Sequence, residues 1–300
     1  MRIAVTGASG LIGQALVPHL RTAGHEVVRL VRRPPATADE RAWVPGRDLD
    51  PAVLAGVEAV VNLSGANLAQ GRWTDRRKQQ LRDSRIGPTR VLAEAIARMS
   101  LPPPVLVSSS AVGYYGDRGD EPLTEASPAG DGFLARLCVE WEQATAPAEA
   151  AGIRVVHTRS GIVLSAAAGA LAKMLKPFKA GIGGVLGSGS QYVSWITMDD
   201  LLAAITRALT DDALRGAINT VAPSPVTNRQ FTRSLGRVLH RPTVASVPAF
   251  VLRLLFGEMA GEALLASTRA VPQRLLAAGF RFSFPDLEPA LRQALGRRPL

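Results

Sequence analysis

The clearest chemical signal lies near the start of the chain, in Gly7-Ala8-Ser9-Gly10-Leu11-Ile12-Gly13. Glycines at this spacing let a backbone turn tightly and approach a ligand with no β-carbon in the way. The run before them, Arg2 to Thr6, is short, apolar and β-prone. The run after them, Leu11 to Ala23, places Leu11, Ile12, Ala15, Leu16 and Leu20 at helical spacing, and Gly24 ends it. A glycine turn between a strand and a helix N-terminus suits a pyrophosphate, because the first N–H groups of the helix and its dipole both favour negative charge. The expected ligand of Gly7, Ser9, Gly10, Leu11, Ile12 and Gly13 is a dinucleotide.

The second signal concerns which dinucleotide. About 20 residues beyond such a turn, an NAD site usually offers Asp or Glu to the ribose hydroxyls. Here stand Arg32 and Arg33, with no acid between Glu26 and Asp39. A guanidinium pairs with a 2′-phosphate and gains little from a bare hydroxyl. The expected cofactor is NADP(H), with Arg32 as its 2′-phosphate ligand. The alternative is a pair of exposed loop arginines in a chain that has many. Metal chemistry has less support: Cys138 is the single cysteine, and His19, His25, His157 and His240 share no ligand spacing. No metal site and no intramolecular disulfide framework are expected.

The elements that must position these residues alternate. Strand-like runs at Arg2–Thr6, Glu26–Val31, Ala59–Leu63, Val105–Ser109 and Arg154–His157 are separated by helical segments at Leu11–Ala23, Arg85–Met99 and Phe133–Ala151, the last interrupted by Pro147. Such alternation calls for βαβ units and a parallel sheet buried on both faces. After about Gly161 the rhythm loosens. Gly181 to Gly189 is glycine-rich, Asp199–Leu209 is helical, Ala217–Val221 suits one more strand, and Pro223 onward reads as helices with proline-marked turns. The predicted fold is α/β, a Rossmann-type doubly wound parallel sheet with a smaller, mostly helical C-terminal lobe. Residues 1–222 form the nucleotide-binding domain, with part of the substrate lobe at about 165–195, and residues 223–300 a helical substrate or lid module. A chain of 300 residues, 47% hydrophobic and 20% charged, excludes collagen-like, low-complexity and disordered classes.

The spacing Gly-x-x-Gly-x-x-Gly, introduced by Thr6, resembles the short-chain dehydrogenase/reductase superfamily. Its extended branch is matched further by Asn62-Leu63-Ser64-Gly65 after a strand and by Ser108-Ser109-Ser110-Ala111-Val112-Gly113-Tyr114-Tyr115-Gly116. Other segments are similar to one subgroup, the atypical epimerase-like proteins sometimes labelled cell-division-inhibitor homologues. These are Arg72-Trp73 with Ser84-Arg85, Arg159 to Leu164, Gly187 to Gln191 leading to Ser194-Trp195-Ile196, and a C-terminal module at Phe256-Gly257-Glu258-Met259, Pro272 to Leu275, Gly279-Phe280 and Phe284 to Leu287. The resemblance covers essentially the whole chain. It implies NADP(H) binding, with Leu63, Ser64, Gly65, Arg85, Ser108 and Ile162 near the cofactor, and a substrate that the family leaves undefined.

One motif of the superfamily is missing. Its chemistry rests on Tyr-x-x-x-Lys, in which the lysine lowers the tyrosine pKa and binds the ribose. The tyrosines here are Tyr114, Tyr115 and Tyr192, followed four residues later by Arg118, Gly119 and Ile196, and no lysine occurs between Lys78 and Lys173. If Glu142 matches the glutamate that follows the dyad in relatives, Leu134 and Cys138 take the Tyr and Lys positions, and Cys138 reads as an inert thiol. Loss of the dyad is usual in the subgroup. Ser110 and Tyr115 remain as candidates for proton transfer, with Arg72, Arg85 or Arg159 as anion holders. Ser110 also suits a plain strand-end hydrogen bond, and Tyr115 a packing aromatic. Trp195 is either a wall of a substrate cleft or core, with core favoured.

Charge and targeting complete the expectation. The net charge is +10, densest from Arg72 to Arg90. That run suits a solvated helix face or a phosphate-bearing cofactor better than nucleic acid, since Trp73 is its single aromatic. The longest uncharged window, Ala180 to Met198, is rich in glycine and serine and reads as loop, not membrane span. MRIAVTGASG leads straight into a strand, so no signal peptide is expected. The function read from the residues is an NADP(H)-binding, epimerase-like oxidoreductase of a small molecule, cytoplasmic, monomer or homodimer, without nucleic-acid or membrane partners. The alternative is an NADP(H)-binding sensor or scaffold without turnover.

Overall fold

Short runs dense in valine, isoleucine and alanine form the central strands, since such runs are stable when both faces are covered. The computed structural model describes residues 1–297. Its strands are β1 (Arg2–Thr6), β2 (Glu26–Val31), β3 (Glu40–Ala42), β4 (Ala59–Asn62), β5 (Val105–Ala111), β6 (Pro122–Leu123), β7 (Arg154–Ser160), β8 (Ile162–Leu164), β9 (Gly184–Leu186), β10 (Tyr192–Val193), β11 (Trp195–Thr197), β12 (Gly216–Thr220), β13 (Val226–Thr227), β14 (Ala245–Val247) and β15 (Arg269–Ala270). The helices are α1 (Leu11–Thr22), α2 (Asp75–Asp83), α3 (Ile86–Ala97), α4 (Phe133–Gln143), α5 (Ala146–Ala150), α6 (Gly169–Lys179), α7 (Met198–Thr210), α8 (Asn228–Leu239), α9 (Ala249–Phe256), α10 (Gln273–Ala277) and α11 (Leu287–Ala294).

Seven strands make one parallel sheet in the order β12-β7-β5-β4-β1-β2-β3. Side chains alternate across it as strand geometry requires. From β1, Ile3 and Val5 enter a core with Leu16 and Leu20 of α1 and Leu201 and Ile205 of α7. Ala4 faces the other way, into a core with Leu92 and Ile96 of α3 and Leu106 of β5. The chain leaves β1 toward β2 and β3 on one side and returns as β4 on the other. That reversal opens a crevice beyond the carboxyl ends of β1 and β4, where open α/β sheets bind ligands.

A second body holds the C-terminal elements. Phe231 and Leu235 of α8, Leu291 of α11 and Phe178 of α6 pack around Trp195, which is fully buried. Trp195 is therefore core, its indole N–H donating to the Ser224 carbonyl at 3.2 Å. The tail is less purely helical than its prolines suggest. β13, β14 and β15 pair with β10, β9 and β6, and the glycine-rich stretch near Gly184 supplies β9. Leu275 of α10 enters the core beside α1 and α7, so the tail is threaded through both bodies. The long helix expected over Phe133–Ala151 is two helices, α4 and α5. The break falls at Ala144-Thr145, and Pro147 sits in the first turn of α5, where its missing N–H costs nothing.

Candidate nucleotide site

The crevice at the β1–β4 reversal widens into a cleft of about 1020 Å³. Its floor is the glycine turn. Gly7 has φ +65°, and a β-carbon there would lie 2.5 Å from the Leu63 carbonyl oxygen. A β-carbon on Gly13 would run into the Gly7 carbonyl and the Ala8 backbone. Glycine at both positions lets the β1–α1 turn close against the β4 loop and leaves the N-terminus of α1 facing open space. Gly10 caps α1 without a side-chain hydrogen bond. The first donors of a twelve-residue helix therefore have no protein acceptor, a state that an anion relieves.

The opposite wall is the β4 loop, held by a buried polar network. Thr6 Oγ1 donates to Asn62 Oδ1 at 2.7 Å, and Asn62 Nδ2 donates to Thr89 Oγ1 at 2.8 Å and Ser108 Oγ at 3.1 Å. Leu63 N and Ser64 Oγ both donate to Thr6 Oγ1. This fixes Leu63, Ser64 and Gly65 along the cleft.

Carboxylates near the end of β2 are already engaged. Glu40 lines the cleft, but its oxygens accept from Arg33 at 2.7 and 2.8 Å and from Ala36 N at 2.8 Å. The Ala36 amide and the Arg33 guanidinium hold its carboxyl below the usual range. Asp39 accepts from Arg29 at 2.7 Å and from Arg21 at 2.5 Å, and the Arg29 hydrogen bond holds it well below the carboxylate range. Arg32 also lines the cleft, exposed, and pairs with none of the described carboxylates.

Of the sequence-predicted cofactor residues, Gly7, Ser9, Gly10, Arg32, Leu63, Ser64 and Gly65 come together along the cleft. Leu11, Ile12 and Gly13 form the first turn of α1 behind it. Arg85 stands just behind Gly65, where a β-carbon would meet the guanidinium at 3.2 Å. It is 6% exposed, stacks on Trp141 at 5.1 Å, and donates to the Ala66 and Leu81 carbonyls. Burial pulls its pKa down to about 10. Ser108 is a correction: it is fully buried with its Oγ taken by Asn62, so it supports the β4 loop rather than facing a ligand. Ile162 lies on β8, half-buried and packing toward the C-terminal core, and does not line this cleft.

The proton-transfer candidates meet at the carboxyl ends of β5 and β7. Ser110 Oγ donates to Glu142 Oε1 at 2.6 Å, and Glu142 accepts a two-pronged bridge from Arg159 at 2.8 Å on each oxygen. Burial opposes charge on Arg159, but the Glu142 hydrogen bonds outweigh it and raise its pKa. The guanidinium lies 3.4 Å from the centre of the Tyr114 ring. Tyr115 is fully buried, its hydroxyl donating to Asn219 Oδ1 at 2.7 Å and accepting from Arg159 at 3.1 Å. Burial raises its pKa. Tyr115 is thus corrected from proton-transfer candidate to packing aromatic. Cys138 is buried, its pKa pushed up to about 12 by burial, so it is an unreactive thiol. Arg72 is exposed beside Gly257, away from both clusters.

Sequence reasoning missed Trp43, Pro45, Asn67 and Gln70, which also line the cleft. Their signal is topological: β3 lies parallel beside β2 and brings Trp43 round to the Arg32 end of the cleft. Among the described residues no group of three His, Cys, Asp or Glu side chains is placed to hold a metal.

Comparison with known proteins agrees with this architecture. Residues 3–220 match the NAD dependent epimerase/dehydratase family, and residues 247–294 match a domain of unknown function (DUF1731). The chain is 48% identical over 296 residues to Epimerase family protein Mb2239 of Mycobacterium bovis, with 98% of each covered. Among solved structures it is similar to human epimerase family protein SDR39U1 (isoform 2), determined with NADPH, at 34% identity and a TM-score of 0.88 over 99% of both chains. It is also similar to a nucleoside-diphosphate sugar epimerase from Corynebacterium glutamicum, at 37% identity and a TM-score of 0.81. That match covers 99% of this chain and 58% of the other.

Proposed function

The chain belongs to the NAD dependent epimerase/dehydratase family, and from that premise we propose that it binds NADP(H) and uses it in oxidoreduction or epimerisation of a small molecule. One observation carries the choice of NADP(H). At the β2 end of the cleft the two nearby carboxylates, Asp39 and Glu40, are bound to other arginines, while Arg32 lies open and without an ion-pair partner among the described residues. A ribose 2′-hydroxyl would find no free acceptor there, and a 2′-phosphate would find a guanidinium. The NADPH bound to human SDR39U1 supports the same reading.

The chain's own groups divide the work. The uncapped N–H groups of α1 hold the pyrophosphate, and Gly7 and Gly13 allow the close approach. Leu63, Ser64 and Gly65 form the facing wall, and Arg85 places a buried positive charge behind it. When bound, the cofactor supplies or accepts a hydride at a substrate carbon. Ser110, largely buried but with 5% exposure against none for Tyr115 and Ser108, is the hydroxyl we assign to the substrate. Its proton is committed to Glu142, so it offers lone pairs to a group that itself donates, such as a substrate hydroxyl. Isothermal titration with NADPH and NADH tests the cofactor assignment: tight binding of NADPH and weak binding of NADH supports it, and equal affinities contradict it.

A second reading, a binder that does not turn over, is favoured by the absent Tyr-x-x-x-Lys and the buried Tyr115. Hydride exchange between labelled NADPH and a panel of sugar nucleotides, ketones and aldehydes separates the two. Exchange with any of them establishes an enzyme, and tight NADPH binding with no exchange across the panel favours the binder.

A further inference from the structure

Six large apolar side chains stand out on the C-terminal side: Ile182, Val244, Phe250, Leu254, Leu255 and Phe256, with exposures from 38 to 94%. The topology gathers them. β14 runs parallel to β9 with Ala245 beside Gly184, so Val244 and Ile182 lie at neighbouring strand ends. Pro248 then turns the chain into α9, whose first residue, Ala249, approaches Gly187 just past the end of β9. Within α9 only Leu252 is buried, and Arg253 is its one charged residue. Phe250 and Leu254 are four apart and share a face. Four exposed large apolar side chains on one eight-residue helix, with two more before the strands that lead to it, mark an interaction site.

The charge around it is mostly positive, and Glu258, just past α9, is paired with Lys78. Residues 169–193 and 228–257, which pack together through α6, α8 and the β9–β14 pair, hold eight Lys or Arg and no Asp or Glu. Three of the four lysines of the chain, Lys173, Lys176 and Lys179, lie on α6. Arg241 Nε donates to the Lys179 carbonyl at 3.2 Å, which ties the basic end of α6 to the loop that carries Val244. Of the eight cations, Arg237 is paired from outside, by Glu288 at 2.9 Å.

We propose that this face docks on an anionic lipid surface, with α9 in the plane of the interface, Phe250 and Leu254 among the headgroups, and Lys176, Lys179 and Arg253 against lipid phosphates. Apolar side chains beside basic ones fit an anionic bilayer, which offers a partner to both. A nucleic-acid backbone offers nothing to Phe250 and Leu254. A second copy seated two-fold on this face would set the cations of one protomer against those of the other. Among the described residues no helix is long and apolar enough to cross a membrane, so the contact is peripheral. It departs from the sequence-based expectation of no membrane partner, which considered spanning segments alone. None of these residues lines the nucleotide cleft, and the proposal stands apart from the cofactor assignment.

Flotation of the full chain with vesicles of phosphatidylcholine, alone or mixed with phosphatidylglycerol, tests it. The expected result is retention on the mixed vesicles at low salt and little on the neutral ones, falling by roughly tenfold or more as salt screens the surface charge. Phe250→Ser/Leu254→Ser and Lys176→Glu/Lys179→Glu each lose retention while melting as the wild type does. Three outcomes overturn the proposal. One is no retention on anionic vesicles. Another is full retention of Phe250→Ser/Leu254→Ser, which would trace binding to net charge alone. The third is a dimer in sedimentation that this variant dissolves, without vesicle binding, which would make the face a contact between copies.

Discussion

The guanidinium of Arg33 is gripped on both nitrogens by Glu40, while its neighbour Arg32 reaches into the cleft with no carboxylate against it. Of the two, Arg33 is spent on structure and Arg32 is left for a ligand. Arg32→Ala should therefore weaken NADPH about 10- to 100-fold, the worth of one or two charge-assisted hydrogen bonds to a phosphate, and leave NADH nearly unchanged. Titration calorimetry of the variant against both cofactors checks it; equal losses for both would point to a general disturbance of the cleft. Glu40 makes a separate prediction about pH. Hydrogen bonds from Ala36 and Arg33 hold its carboxyl below its ordinary value of 4.5. The stability it contributes is therefore whole above that value and is lost as pH falls through the lower folded one. Between neutral pH and pH of about 3, the melting temperature of Glu40→Gln should fall less steeply than that of the wild type. Parallel slopes would show that Glu40 is not linked to folding in this way.

At the scale of elements, two junctions decide the site. The first is the turn from β1 to α1. Gly7→Ala places a methyl group 2.5 Å from the Leu63 carbonyl and forces φ +65° on a residue that disfavours it. The β1 and β4 loops must then part, so the variant should melt well below the wild type and lose the NADPH-dependent shift, as differential scanning fluorimetry would show. The second junction joins α4 to β7 through Glu142 and Arg159, whose side chains are 12 and 5% exposed. Removing one partner strands a buried charge. Arg159→Met should cost about 3 to 5 kcal/mol, while Arg159→Met with Glu142→Leu should recover much of that loss. Chemical denaturation of the single and double variants measures both, and additive losses would contradict the pairing.

These junctions differ in how far the sequence discloses them. The glycine turn, the strand–helix alternation and the Arg32-Arg33 pair are legible because each depends on residues next to one another. The Glu142–Arg159 bridge is not, because it forms only when α4 packs on β7. Trp43 and Pro45 reach the cleft for a similar reason, through the pairing of β3 with β2. Tyr115 is a candidate in the sequence because the dyad is missing, and Ser108 because of the family resemblance; burial between elements leaves neither side chain open to a ligand.

The whole molecule is organised around a cleft at a sheet reversal, with a C-terminal tail that crosses back to pack beside the sheet. Leu275, Phe280 and Phe282 from that tail sit against the α1 and α7 side of the sheet, so truncation before α10 would open the main core as well as the second body. Such a truncated chain should fail to unfold cooperatively, which calorimetry would reveal; a sharp transition near that of the full chain would show the tail to be dispensable. Binding at the cleft should in turn stabilise the full chain. Thermal unfolding with NADPH, with NADH and with neither therefore tests the central claim most directly. A ligand at 100 times its dissociation constant adds about 2.7 kcal/mol, several degrees for a chain of this length. The account predicts that shift with NADPH and a much smaller one with NADH. An equal shift with both would contradict the role of Arg32, and no shift with either would contradict the nucleotide site itself.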